Sequence, residues 1–160
     1  GHLAMEMLKQ AAGLDIVHVP YKGGAAAITD TISGQVQALF LNQDNVLPFV
    51  RSGKLRALAV SSRDPNPAYP DVPSVASAGY PDFAATSWFG LSAPAGTPEA
   101  IVSRPSEAAI KAMDSDAVRH QLEGSGFVVQ AEGPVAFRAF VDNEIARWGK
   151  AVKASGATAD

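Results

Sequence analysis

A chain of 160 residues that is 47% hydrophobic and 18% charged has the size and composition of one globular domain. Its net charge of −3 offers no basic footprint for nucleic acid or an anionic membrane surface, so neither is an expected partner. The absence of Cys excludes thiol catalysis, disulfides and thiolate metal sites.

No apolar run approaches the roughly 18 residues of a membrane span, and Gly1-His2-Leu3-Ala4 lacks the charged-then-apolar design of a signal peptide. A helical pattern with Leu3, Met7, Leu8 and Ala11 begins at once, so the chain is expected to start inside a fold, as a piece of a longer protein. That helix, Leu3 to Ala12, stops at Gly13 and leads into the β-branched run Asp15-Ile16-Val17-His18-Val19, closed by Pro20. A Gly-rich turn, Tyr21 to Gly24, precedes a helix over Ala25–Ser33 and a second apolar run, Val36 to Leu41. Strand, turn, helix and strand make a βαβ unit. A short helix from Val46 to Arg51 and the apolar run Leu55 to Val60 continue the alternation, and such runs suit strands buried on both faces of a parallel sheet.

Four prolines between Asp64 and Pro73 predict a rigid surface loop. Val75 to Ala78 allows one helical turn, and Phe83 to Ala93 reads as extended. Thr97 is placed to cap a helix that Pro98 opens and that runs to Met113, with Pro105 expected to kink or break it. A helix from Ser115 to Glu123, a short strand Phe127 to Gln130 and a long amphipathic helix opening at Pro134 complete the chain. A boundary falls near Thr86 to Ala93, between the βα repeats and the helix-rich tail.

Tests for catalytic motifs fail. Gly90-Leu91-Ser92-Ala93-Pro94 misses the last glycine of a hydrolase elbow. Ser52-Gly53-Lys54 lacks the upstream glycine and the Ser or Thr of a P-loop, and Gly124-x-Gly126 precedes a strand where a dinucleotide fingerprint must follow one. The histidines at 2, 18 and 120 form no local metal motif; His18 reads as a hydrogen-bonded structural residue, and His2 reads equally as native or as a cloning remnant. What remains is Val19 to Ala27. Two glycines admit a ligand to the backbone, and the following helix aims free amides and its positive end at the same point, at the carboxyl end of a strand. That is an anion site; an ordinary strand-to-helix turn explains the same residues equally well.

The ordered blocks His18-Val19-Pro20-Tyr21-Lys22-Gly23-Gly24-Ala25, Ser33-Gly34-Gln35-Val36, Ser52 to Val60, Tyr69-Pro70-Asp71-Val72-Pro73-Ser74, Ala78-Gly79-Tyr80, Ser87 to Leu91 and Ala93 to Pro98 resemble the Bug/TctC receptors of tripartite tricarboxylate transporters over nearly the whole chain. The resemblance implies an α/β fold of the type II periplasmic-binding-protein kind, three-layer αβα with a mainly parallel sheet. It implies a ligand-binding lobe over 1–86, an interlobe crossover over 87–97 and an incomplete part of the other lobe over 98–160. The implied activity is capture of a small organic carboxylate in the periplasm and its delivery to membrane transporter subunits, with no cofactor and no reaction catalysed. Carried over residue by residue, Gly23, Gly24, Ala25 and Ala26 would donate amides and Tyr21 would border the cleft. His2 and Leu3 match a helix start facing the ligand. Asn42 matches a Phe-Asp-Asn pattern, but Leu41 replaces its acid, so Gln43 or Asp44 would serve instead. Trp88 lies at the crossover, as hinge packing or as a ligand contact.

Two other readings stay open: a small hydrolase using Asp44, His18 and Ser87, and an interaction fragment whose exposed edges pair in a domain-swapped or strand-paired dimer.

Overall fold

The computed structural model describes residues 1–156. Six helices follow in order: α1 (His2–Ala12), α2 (Gly24–Ile32), α3 (Gln43–Arg51), α4 (Glu99–Met113), α5 (Asp116–Gly124) and α6 (Pro134–Ser155). Each matches a helix expected from the apolar periodicity to within three residues, because that periodicity and the glycine stops are local signals.

The core forms where α1 meets α6. Ala4 of α1 is buried with Val75, Phe83 and Ala85, and Met7, Leu8, Phe40, Tyr80 and Trp148 pack around them. Helix α1 also carries the half-buried Lys9–Glu6 ion pair, at 2.8 Å. The final helix therefore returns to a core built mostly from the first half of the chain. Its Glu144 is only 9% exposed. The carboxylate accepts from Arg147 Nη2 at 2.7 Å and Trp148 Nε1 at 2.9 Å, while Arg147 Nη1 donates to the Ala84 carbonyl at 2.6 Å. Burial alone would raise the Glu144 pKa, but these hydrogen bonds, the Arg147 charge and the Trp88 indole outweigh it and hold the carboxyl below its usual value.

The segments expected as strands carry no strand among the described residues, and sheet pairing there is confined to one parallel bridge, Val60 with Ser74. Val60 N–H donates to Pro73 O and Val75 N–H to Val60 O, each at 2.9 Å. The mainly parallel sheet is thus not formed as a ladder here. An apolar run dictates an extended, buried-seeking segment, whereas a ladder needs a neighbour in register, which is a non-local condition.

Four smaller expectations need correction or refinement. The proline-rich segment is not wholly on the surface: Asn66 and Tyr69 are each 5% exposed. Pro98 is the N-cap of α4 and not its first turn, and the Thr97 hydroxyl donates to Pro94 O at 2.8 Å, so it does not cap the helix. Pro105 leaves α4 continuous; it lies on an exposed face, where solvent reaches the carbonyl that loses its N–H partner. Residues 75–78 form a single turn, with Ala78 N–H donating to Ser74 O at 3.1 Å.

The segment after Ala85 shows strand-like alternation. Trp88 meets Phe137 and Phe140 of α6 edge to face, with centroids 5.5 and 5.4 Å apart. Gly90 lies so close to the Phe137 ring that an added Cβ would sit 2.7 Å from its Cε1. Phe89 and Leu91 point away and are each 74% exposed. Gly90→Ala is expected to force this ring out of place and destabilise the protein by about 1–3 kcal/mol, read as a lower denaturant midpoint at unchanged m-value.

Candidate functional site

Helix α2 starts at Gly24 after an N-cap glycine, Gly23, that offers no side-chain acceptor, and its first turn contains no acid. The amides of Gly24, Ala25 and Ala26 therefore lack intrahelical acceptors and carry the positive end of the helix dipole. Ala25 and Ala26 are exposed. Gly23 has extended backbone, φ 171° and ψ 161°, open to any residue. Among the described residues nothing lies within 4 Å of where its Cβ would be.

Gly24 is held differently. A Cβ there would lie 2.9 Å from Leu41 Cδ2, so the start of α2 is pressed against the segment entering α3. On the same segment the Phe40 carbonyl lies against Gly1, the N-cap of α1. Helix α1 likewise has no side-chain cap and no acid in its first turn. Residues 40–42 thus join the beginnings of α1, α2 and α3 at one place. Asn42 is the N-cap of α3 without capping through its side chain; its Oδ1 accepts the Ser87 hydroxyl at 2.9 Å, which ties the helix start to the segment after Ala85.

Tyr21 lies beside this region with its phenol donating to Asp30 Oδ2 at 2.8 Å; that hydrogen bond to a carboxylate, then burial, raises the phenol pKa. His2, at the first position of α1, stacks on His18 with ring centroids 3.9 Å apart and planes 6° from parallel. Sequence reasoning expected a hydrogen-bonded structural role for His18; instead both rings are exposed and stacked at the start of α1. Burial and the neighbouring His2 charge both lower the His18 pKa, and Glu6 opposes them.

Gln43 is engaged elsewhere than at a ligand. Its side-chain amide donates to the Gly126 carbonyl and its Oε1 accepts from Asn66, whose own Oδ1 takes the Ala68 N–H at 2.9 Å. This network joins α3, the proline-rich segment and the turn after α5, and no local motif announces it. Gln43→Ala would leave the amide of buried Asn66 and the Gly126 carbonyl without partners, at an expected cost of about 2 kcal/mol measured by chemical denaturation. Asp44, in the first turn of α3, accepts from Asn45 Nδ2 at 3.2 Å; its charge suits the helix dipole and opposes an anion at that helix start. The Trp88 ring packs on α6.

The Asp44, His18 and Ser87 trio does not assemble: Ser87 bonds Asn42, His18 stacks on His2 and Asp44 pairs with Asn45, and among the described residues none of the three hydrogen-bonds another. Among the same residues no group of three or more His, Asp or Glu side chains is placed to hold a metal ion. Among the described residues no helix is long and apolar enough to cross a membrane. An open groove of about 300 Å³ runs between α2 and α3, lined by Ala25, Ile28, Thr29, Ile32, Asn45 and Phe49.

Protein BugT of Bordetella pertussis is 37% identical over 156 residues, which are 98% of this chain and 48% of BugT. Among solved structures, Rpa4515 of R. palustris with adipate superposes with a TM-score of 0.88 at 34% identity, covering 98% of this chain and 52% of that one. MatC of Rhodopseudomonas palustris with bound malate gives 0.81 at 34% identity, covering 94% and 52%. The chain spans about half the length of these three relatives. The sequence model described as "Tripartite tricarboxylate transporter family receptor" matches residues 1–157, and the chain belongs to that family.

Proposed function

We propose that this chain carries the carboxylate-binding face of a periplasmic solute-binding protein that serves a tripartite tricarboxylate transporter and catalyses no reaction. The observation that carries the reading is the meeting of α1, α2 and the entry to α3 at residues 40–42, with no acid in the first turn of α1 or α2 and with Ala25 and Ala26 exposed. Uncapped helix starts stabilise an anion by direct N–H donation and by the dipole. Two relatives were solved with the dicarboxylates adipate and malate.

In this reading Gly23, Gly24, Ala25 and Ala26 hold one carboxylate, Tyr21 borders it, and His2 and Asn42 complete the polar rim. Trp88 braces the crossover. Residues 1–86 act as the ligand-binding lobe, 87–97 as the crossover and 98–160 as part of the other lobe, whose last helix leans on the core of the first, and membrane transporter subunits receive the cargo. The test is thermal unfolding in the presence of malate, adipate and a panel of monocarboxylates. At a hundredfold excess over Kd, binding adds about 2.7 kcal/mol, a rise of roughly 5–10 °C for a chain of this size. A transition temperature unmoved by every carboxylate would sink the proposal.

A further inference from the structure

The turn that leads into α2 has few fastenings. Among the described residues, positions 15–22 make no backbone hydrogen bond, and one side-chain hydrogen bond reaches them: the Tyr21 hydroxyl donates to Asp30 Oδ2 at 2.8 Å. Lys22 and Gly23 are exposed. A turn with two exposed residues, one of them a glycine, has many conformations of similar energy unless a contact selects one.

The residue to which Tyr21 is tied is itself firmly held. Asp30 lies half-buried in the last turn of α2, and its carbonyl accepts the Gln35 and Val36 N–H groups at 2.8 and 3.3 Å and the Ser33 hydroxyl at 3.2 Å. One residue therefore anchors the chain leaving α2 through its backbone and the chain entering α2 through its side chain. The direction of the Tyr21 hydrogen bond matters as well. A phenol has a single proton to donate; that of Tyr21 goes to Asp30, so in this arrangement Tyr21 offers a bound carboxylate no donor. What it contributes is the placing of Gly23 and Gly24.

We propose that Asp30 is a positioning residue: through Tyr21 it holds the Tyr21–Gly24 turn in the arrangement in which the amides of Gly24, Ala25 and Ala26 receive an anion, a role that rests on the reading of this helix start as the carboxylate site. The sign of its effect separates positioning from electrostatics. Asp30 lies six residues beyond Gly24, about 9 Å along the helix. Its negative charge by itself disfavours a bound anion, so removing that charge would tighten binding. Positioning predicts the reverse.

The test is calorimetric titration of malate and adipate into the 160-residue chain and three single variants. Asp30→Ala and Tyr21→Phe are each expected to weaken binding about tenfold, as when about one molecule in ten holds the competent turn. The double variant is expected to bind no more weakly than either single one, because both break the same bond. Asp30→Asn, which keeps an acceptor and loses the charge, is expected to bind within about threefold of wild type. In parallel, relaxation measurements on the unliganded proteins should show the Lys22 and Gly23 amide order parameters falling from about 0.85 to below about 0.6 in Asp30→Ala and Tyr21→Phe, with α1 and α6 unchanged. Binding by Asp30→Ala as tight as or tighter than by wild type overturns the proposal, and so do unchanged order parameters at 22 and 23. A wild-type chain that binds neither acid counts against the proposed function; the clamp is then decided by the order parameters, supported by a loosened turn and overturned by an unchanged one.

Discussion

Ala25→Asp is expected to lower carboxylate affinity about 100-fold while leaving the protein as stable as before or slightly more so. The exposed residue sits in the first turn of α2, whose amides lack intrahelical acceptors. A carboxylate placed there stands on the order of 6 Å from a bound anion, and two like charges at that distance repel by about 2.8 kcal/mol at an effective dielectric near 20. The same charge favours the helix dipole by about 0.3–1 kcal/mol. Affinity and stability thus move in opposite directions, a split that general damage to the fold would not produce. Titration calorimetry with malate and a thermal melt of the unliganded protein measure the two; unchanged affinity would show that α2 does not hold the anion.

Glu144→Ala is expected to give the largest loss of stability, about 3 kcal/mol at neutral pH, or a fall of roughly 6–12 °C in transition temperature. The carboxylate receives Arg147 and Trp148, and Arg147 in turn holds the Ala84 carbonyl, so its removal frees the joint between α6 and the segment leading to Trp88. Arg147 Nε is already buried without a partner, so the guanidinium has no alternative acceptor to fall back on there. The estimate sits at the lower end for a broken buried pair because the Arg147 side chain is 34% exposed. Since the folded-state pKa of Glu144 lies below its ordinary value of 4.5, its contribution is complete above that value and is lost as pH falls through the folded pKa. Melts from pH 7 down to 3 should therefore show wild type and Glu144→Ala converging below pH 4.5, and parallel curves would refute the assignment.

The helices were legible because their signals are local: Leu3, Met7 and Leu8 at helical spacing, Gly13 after the last turn, Pro134 at the first position of α6. The family was legible from blocks in order. What escaped was every feature set by distant contacts. Gln43 looked like a substitute ligand residue, but its partners lie at positions 66 and 126. His18 was read as a hydrogen-bonded structural residue of an apolar run, yet it stands exposed and stacked against His2. Pro105 looked like a break because propensity weighs the missing N–H and not the exposure of the face that carries it. The expected sheet failed as a ladder for the same reason: Leu55 to Val60 specifies an extended run, while its neighbour is decided elsewhere in the chain.

The close approach of Leu41 to Gly24 makes these two positions a single unit of variation. A methyl group at position 24 fits only if the side chain at 41 shrinks or turns aside, so homologues should exchange these residues in pairs, small at one where the other is large. Remodelling this corner for a bulkier residue at 24 would then have to begin at 41, because the Leu41 side chain is what such a residue meets first.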